Sequence, residues 1–263
     1  MRENTLKTKW AAGENTINGW LAIPASWSAE IMAHQGFDSL TVDMQHGLAD
    51  YQTAVTMLQA VSTTDVIPMA RVPWNEPGII MRMLDAGCYG IICPMVNTRA
   101  EAEQFVGACR YYPEGYRSAG PTRARVYSGG NYLRDANNYI LTIAMIETAQ
   151  AVENLDEILS VPGLDAIYVG PSDLSITYGV QGQFDSDVMK NALATIVEKC
   201  QAHGIVPGIH TGGPDHALRM FNIGFRFATL TSDGSMMGAM AKQMVDATRA
   251  GDVGSAEDSK SLY

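Results

Sequence analysis

The stretch DVMKNALATIVEKCQAHGIVPGIH, residues 187–210, decides the fold. Up to His203 its apolar residues recur at helical spacing, with Asp187 placed to begin the helix. Gly204 then ends the helix, and Ile205-Val-Pro-Gly-Ile209 reads as a short apolar strand. The same helix–glycine–strand junction recurs at Gln35-Gly36-Phe37, Ala86-Gly87-Cys88 and Ile223-Gly224-Phe225. Four such junctions in one chain predict a repeated βα unit and a parallel sheet.

Working outward, seven further runs join Ile205–Ile209 as strands. They are Trp20–Ile23, Ser39–Asp43, Val66–Arg71, Gly90–Pro94, Ile140–Ile146, Ala166–Gly170 and Phe225–Leu230. These runs lack polar alternation, as parallel strands covered on both faces do. Amphipathic segments such as Tyr51–Val61 lie between them. Eight units predict an α/β protein built as one (β/α)8 (TIM) barrel over residues 1–250, with a doubly wound open sheet as the competing architecture. The longest connection, about residues 111–138, carries Arg117, Arg123 and Arg125 among prolines and glycines, and its length predicts a lid or an interface arm. Residues 251–263 read as a polar tail.

Composition narrows the function. Hydrophobic residues make up 46% and charged residues 17%, the balance of a globular protein. The 18 Lys and Arg against 28 Asp and Glu leave a net charge of −10, which argues against nucleic acid or an anionic membrane as partner. Anionic substrates would then need local positive charge from an arginine or a metal. The four cysteines have irregular spacing and no C-x-x-C pair, so they read as reduced core thiols. The N-terminus lacks an apolar signal region and no run reaches the roughly 18 apolar residues of a membrane span, so a cytoplasmic protein is expected.

Catalytic groups of such barrels stand at the carboxyl ends of strands. Those ends here carry Asp43 and His46, Arg71, Glu147, Asp173, His210 and Asp233. Glu147 and Asp173 follow adjacent strands and offer the oxygen ligands that a hard divalent cation such as Mg²⁺ or Mn²⁺ prefers. The alternatives are an ion pair for Glu147 and a helix N-cap for Asp173. Arg71 can grip a substrate carboxylate with a two-pronged hydrogen bond, or pair internally with Asp43 or Glu147. His46 beside Asp43 has the arrangement of an oriented base. His34 and His203 sit late in predicted helices, His216 reads as helix surface, and His210 can either line the pocket or cap a turn. No lysine ends a strand, which disfavours covalent catalysis through a lysine Schiff base.

These residues resemble the HpcH/HpaI class II pyruvate aldolases. The likeness runs from Gly19-Trp20-Leu to Asp233 through Ser28-Ala-Glu30, Gly36-Phe-Asp38, Asp43-Met-Gln-His46-Gly, Arg71-Val-Pro-Trp-Asn75, Met83-Leu-Asp85-Ala-Gly87, Pro94-Met95-Val96, Ile146-Glu147-Thr148 and Gly170-Pro-Ser-Asp173-Leu-Ser175. The resemblance implies cleavage or formation of 4-hydroxy-2-keto acids through a pyruvate-type enolate and an aldehyde. It implies a divalent metal (Mg²⁺, Mn²⁺ or Co²⁺) on Glu147 and Asp173. Arg71 would stabilise the enolate, and His46 supported by Asp43 would move a proton on the aldehyde-derived oxygen. Asp85 would act across a subunit interface, in a hexamer built as a trimer of dimers. Trp20, Arg71, Ser172, Asp173 and His210 form the expected substrate-binding set, with the acceptor pocket shaped by variable loops including Arg117 to Arg125. Two positions depart from many members: Gln45 where they carry Glu, and Met145 where they carry Gln.

Two other readings compete. Thr211-Gly-Gly-Pro after the seventh strand sits where phosphate-binding barrels hold their ligand, although Asp233 after the eighth would repel it. A barrel that binds without turnover is the other, with Met145 and Gln45 as its support.

Overall fold

Apolar strands need cover on both faces, and a closed barrel provides it with side chains inside and helices outside. In the computed structural model, which describes residues 1–251, eight parallel strands pair in chain order and the eighth returns to the first. They are β1 (Thr16–Leu21), β2 (Ser39–Asp43), β3 (Ile67–Arg71), β4 (Gly90–Cys93), β5 (Leu141–Ile146), β6 (Ala166–Val169), β7 (Val206–His210) and β8 (Phe227–Ser232). The (β/α)8 barrel is the fold, and the open sheet is excluded by the β1–β8 pairing. The tail expected beyond residue 251 lies outside the described residues.

The four junction glycines explain how the helices turn back into strands. Gly36, Gly87, Gly204 and Gly224 have φ of 86°, 106°, 69° and 118°, a left-handed backbone that costs a side-chain-bearing residue roughly 1–2 kcal/mol. Outside the sheet, strand residues such as Val42, Ile91 and Ile209 meet the helices in the main core. Inside, Ile67, Met69, Ile92, Ile143, Tyr168 and Phe227 fill the barrel.

Two strand starts differ from the sequence reading by more than one residue. β1 begins at Thr16, not Trp20, because the barrel interior accepts polar groups when they are paired. Thr16 and Asn18 are fully buried, and Asn18 Nδ2 donates to Thr229 Oγ1 at 2.9 Å. β8 starts at Phe227, since Phe225 follows the Gly224 turn and packs in the helix layer.

Helix Thr5–Ala11 closes the amino end of the barrel. Leu6 is fully buried in the interior cluster, and Asn4 Nδ2 donates to the carbonyls of Tyr89 and Tyr139 at 3.1 and 2.8 Å. The 111–138 connection corrects the expectation of a lid. It follows helix Arg99–Cys109, so it returns to the amino end of β5, away from the carboxyl rim. It is also structured, with helices Thr122–Ser128 and Tyr132–Tyr139. Arg123 donates to Ala86 O and Ser62 Oγ at 2.6 Å each, tying this segment to the ends of two earlier helices. Arg117 is buried against Asp85 at 2.6 Å and so does not shape a pocket at the rim.

All four thiols are buried and unpaired, and burial pushes Cys88, Cys109 and Cys200 up to about 12. Such thiols are inert core residues. Helix Asp233–Ala250 behaves unlike the others. Of its 18 residues only Asp233 is buried, and Met237, Met240, Met244 and Val245 are exposed. Among the described residues no helix is long and apolar enough to cross a membrane.

Candidate active site

Register places the first pair. Asp43 and Arg71 end β2 and β3 as direct cross-strand partners. Arg71 Nε donates to Asp43 Oδ1 at 2.9 Å and Nη2 to Oδ2 at 2.7 Å, the two-pronged geometry of a strong ion pair. Trp20 Nε1 adds a 3.1 Å bond to Oδ2, and the guanidinium carbon lies 4.8 Å from the Trp20 ring centre. Nη1 has no protein partner among the described residues and remains open to a ligand oxygen. Burial alone would raise the Asp43 carboxyl, but the bonds and charge of Arg71, with Trp20 and the Gln45 N–H, hold it below its usual value.

A sign follows for stability. An aspartate whose folded pKa is depressed adds stability that is fully present above its unfolded value, near 3.9, and is lost as pH falls through the folded value. The wild-type melting temperature should therefore exceed that of Asp43→Asn above about pH 5, and the gap should close in stronger acid. A gap that stays constant down to pH 2, measured by circular dichroism, would contradict the assignment.

Asp43 is not the orienter of the His46 ring that the sequence suggested. Its carboxylate is taken by Arg71, Trp20 and the backbone N–H groups of Gln45 and His46, at 3.1 and 3.3 Å. The His46 side chain is exposed at the rim and makes no hydrogen bond among the described residues.

Glu147 directly follows β5 and is buried. Its Oε1 accepts the Met95 N–H at 2.8 Å, which Met95 presents from a left-handed backbone, φ 55°. Among the described residues no arginine lies within salt-bridge range of it, so the ion-pair alternative is not realised there. Burial pushes the Glu147 carboxyl up; the Met95 bond opposes this and the nearby Asp173 charge adds to it. Asp173 is the third residue of helix Pro171–Thr177, whose N-cap is Gly170, and its exposed carboxylate caps nothing. The loop leaves space for Glu147 only because residue 170 is glycine: a Cβ there would sit 2.6 Å from Oε2.

Two neighbouring carboxylates that repel each other and, among the described residues, lack a cationic partner in hydrogen-bond range are the donor set a divalent cation suits. Among the described residues no group of three or more His, Cys, Asp or Glu side chains gathers, so any ion here would complete its shell with water or substrate.

Trp20, Arg71, Ser172, Asp173 and His210 share one cavity of about 370 Å³ with His46, Glu147, Met145 and Tyr168. Asp85 does not reach it. It ends helix Pro77–Asp85, just before β4 and hence at the opposite end of the barrel, held by Arg117. His210 is a pocket residue rather than a turn cap: Nδ1 lies 3.0 Å from Tyr168 Oη, and Trp20 meets the ring edge-on at 5.2 Å. Burial first, then the Arg71 charge, lowers its pKa to about 4, so the ring is neutral near pH 7. Of the two departures, Met145 lines the cavity, and Gln45 Oε1 is buried without a partner among the described residues.

The phosphate reading loses the donors it needs after the eighth strand. Asp233 accepts from the backbone N–H of Ala22 at 2.9 Å and Gly234 at 2.8 Å, and from Ser28 Oγ at 2.7 Å. A carboxylate thus occupies the helix start that a phosphate would need. A larger apolar groove of about 460 Å³, between helices Asp187–His203 and Pro214–Ile223, contains none of the rim acids. Sequence reasoning missed Tyr168, Thr229 and the Met95 N–H; the first two follow the every-second-residue pattern of inward side chains, and the third carries no side-chain signal.

Comparison with known proteins agrees with this geometry. Residues 19–238 match the family described as HpcH/HpaI aldolase/citrate lyase. The chain is 39% identical to the hydroxypyruvate/pyruvate aldolase of Rhizorhabdus wittichii, over 94% of this chain and 99% of that one. It is 34% identical to a 4-hydroxy-2-oxo-heptane-1,7-dioate aldolase of Escherichia coli, over 92% and 94%. The crystal structure of a HpcH/HpaI aldolase/citrate lyase family protein from Burkholderia cenocepacia superposes with a TM-score of 0.88 at 29% identity, covering 94% of this chain and 99% of that chain.

Proposed function

This chain belongs to the HpcH/HpaI aldolase/citrate lyase family, and from that premise we propose that it is a metal-dependent aldolase acting on 4-hydroxy-2-keto acids. In the cleavage direction the 4-hydroxyl loses its proton and the C3–C4 bond breaks. The electron pair passes to C3 as the enolate of a 2-keto acid, an aldehyde departs, and protonation at C3 gives the pyruvate-type product.

The observation that carries this reading is Arg71, clamped by Asp43 beside the unneutralised acids Glu147 and Asp173. Arg71 offers Nη1 to the enolate oxygen, and Asp43 keeps the guanidinium from turning away. Preorganised donors of this kind stabilise charge where it develops. Glu147 and Asp173 are the residues that would hold Mg²⁺, Mn²⁺ or Co²⁺; when bound, the ion supplies Lewis-acid polarisation of the keto oxygen. His46, unencumbered at the rim, moves the proton on the aldehyde-derived oxygen, directly or through water. Ser172 and Trp20 line the substrate's seat, and Trp20 with Met145 keeps water from its apolar side. Release of pyruvate, measured with and without EDTA, tests the reading. Turnover should vanish with EDTA and return with Mg²⁺, Mn²⁺ or Co²⁺, whereas EDTA-insensitive turnover overturns the metal assignment.

The same proposal extends to assembly as a hexamer, a trimer of dimers, in the cytoplasm. The exposed methionines of helix Asp233–Ala250 support self-association, since contiguous apolar surface marks contact sites. Asp85, held far from its own rim, would then serve a neighbouring subunit. Light scattering should give several times the 28.4 kDa chain mass, and Met240→Glu with Met244→Glu should lower it. A monomeric wild type removes both the hexamer and the Asp85 role.

A further inference from the structure

One residue near the rim stands in a conformation that its own side chain disfavours. Among the described residues Met95 is the single non-glycine with a left-handed backbone, φ 55°. It lies two residues past the end of β4, between Pro94 and Val96, both of which are buried. A side chain crowds the backbone in that region, so such a residue persists only where its surroundings hold it. Strain of this kind gathers where a backbone group is needed in one particular place. The group here is the Met95 N–H, which donates to Glu147 Oε1 at 2.8 Å. Among the described residues it is the one hydrogen bond that this buried carboxylate receives.

The hold on Met95 is Asn97, whose Nδ2 donates to Met95 O at 3.0 Å. A carbonyl can only accept, so the amide nitrogen faces Met95 and Oδ1 faces the other way, where it accepts from Thr148 Oγ1. Thr148 follows Glu147 in the chain, and the bonds therefore close a ring. It runs from Glu147 to the Met95 N–H, from Met95 O to Asn97, and from Asn97 through Thr148 back to Glu147. Asn97 is pinned at both of its backbone groups, the N–H by Glu101 Oε2 at 2.7 Å and the carbonyl by Asn154 Nδ2 at 2.9 Å. Glu101 also completes the capping box that starts helix Arg99–Cys109, so the ring is anchored on a helix. Only Oε1 of Glu147 is taken up by it. Oε2 accepts no hydrogen bond among the described residues, and Gly170 leaves room beside it. Neither Met95 nor Asn97 lines the cavity, so both act through Glu147.

We propose that Asn97 is a positioning residue of the metal site, holding Met95 in its left-handed turn so that the Met95 N–H fixes Glu147 with one oxygen free for a divalent cation. The proposal rests on the reading of Glu147 as a metal ligand and deepens it. Hydrogen bonds that orient a ligating carboxylate change metal affinity by about 10- to 100-fold, which sets the expected scale.

Titration calorimetry with Mn²⁺ on the EDTA-stripped full chain tests this without reference to turnover. Asn97→Ala should weaken binding by about 10- to 100-fold. Met95→Gly should bind within about threefold of wild type, since glycine takes a left-handed turn without strain and keeps the N–H. Asn97→Ala combined with Met95→Gly should recover most of the lost affinity, a rescue that general damage to the fold would not show. Met95→Val keeps Asn97 but installs a β-branched residue, the type that tolerates this conformation least, and should weaken Mn²⁺ binding as Asn97→Ala does. Should Asn97→Ala fail to fold by circular dichroism, the valine and glycine variants decide the matter between them. Equal affinity in those two, wild-type affinity in Asn97→Ala, or a double variant that binds no tighter than Asn97→Ala overturns the proposal. A wild type that takes up no Mn²⁺ overturns the metal reading, and this proposal with it.

Discussion

Arg71→Lys should lower kcat/KM for pyruvate release by about two to three orders of magnitude, the usual loss for one donor to a developing oxyanion. Two separate losses produce this. A lysine places a single ammonium where the guanidinium now spans both Asp43 oxygens, at 2.9 and 2.7 Å, and still has Nη1 for substrate. The ammonium can serve Asp43 or the enolate but cannot hold the same position toward both. Asp43 is also buried, so weakening its partner leaves a carboxylate poorly compensated, and some loss of thermal stability should accompany the kinetic defect. Steady-state kinetics on the folded variant provide the check. A rate within threefold of wild type would take Arg71 out of the chemistry.

Glu147→Gln should reduce turnover by about three orders of magnitude or more, since a Lewis-acid ion contributes several kcal/mol to the transition state. The amide keeps the size of the side chain and can still accept the Met95 N–H, so the fold should survive. What changes is charge. The wild type should gain thermal stability on adding Mn²⁺, because an ion that binds only the native state stabilises it by mass action. The variant should gain none. In EDTA the order reverses: the glutamine protein should melt at or above the wild type, having lost a buried charge that Asp173 repels. Titration calorimetry with Mn²⁺ decides the matter independently of activity, and wild-type affinity in the variant would refute the ligand assignment.

The barrel was legible because its signals are local and repeated. An apolar run, a helix and a turning glycine lie within about two dozen residues of each other in 187–210, and the left-handed φ of Gly204 and Gly224 is what the turn chemistry requires. The rim was legible for the same reason, since a charged residue directly after a strand is a one-dimensional pattern. Three things were not. Thr16 and Asn18 disguised the start of β1, because polar residues are compatible with a strand interior only through partners some two hundred positions away, such as Thr229. The length of the 111–138 segment predicts a lid or an interface arm, and nothing in its own composition says that a helix precedes it and carries the chain to the end of the barrel where a lid has nothing to cover. The Asp43 carboxylate was assigned to the neighbouring His46 by sequence proximity, whereas strand register gives it to Arg71, 28 residues on.

Helix Thr5–Ala11 stops the far end of the barrel with Leu6 and Asn4, and packed side chains such as Met69, Ile92 and Phe227 fill the interior, so the cavity that holds Arg71 and His46 lies at the carboxyl rim. Traffic through a single doorway has an order. The partner seated against Arg71 at depth has to arrive before the one that meets His46 at the lip, and on the way out the lip must clear first. On the proposed chemistry, with one opening at the rim, sequential kinetics with the keto acid leading in and trailing out is the expected result, and product-inhibition patterns check it.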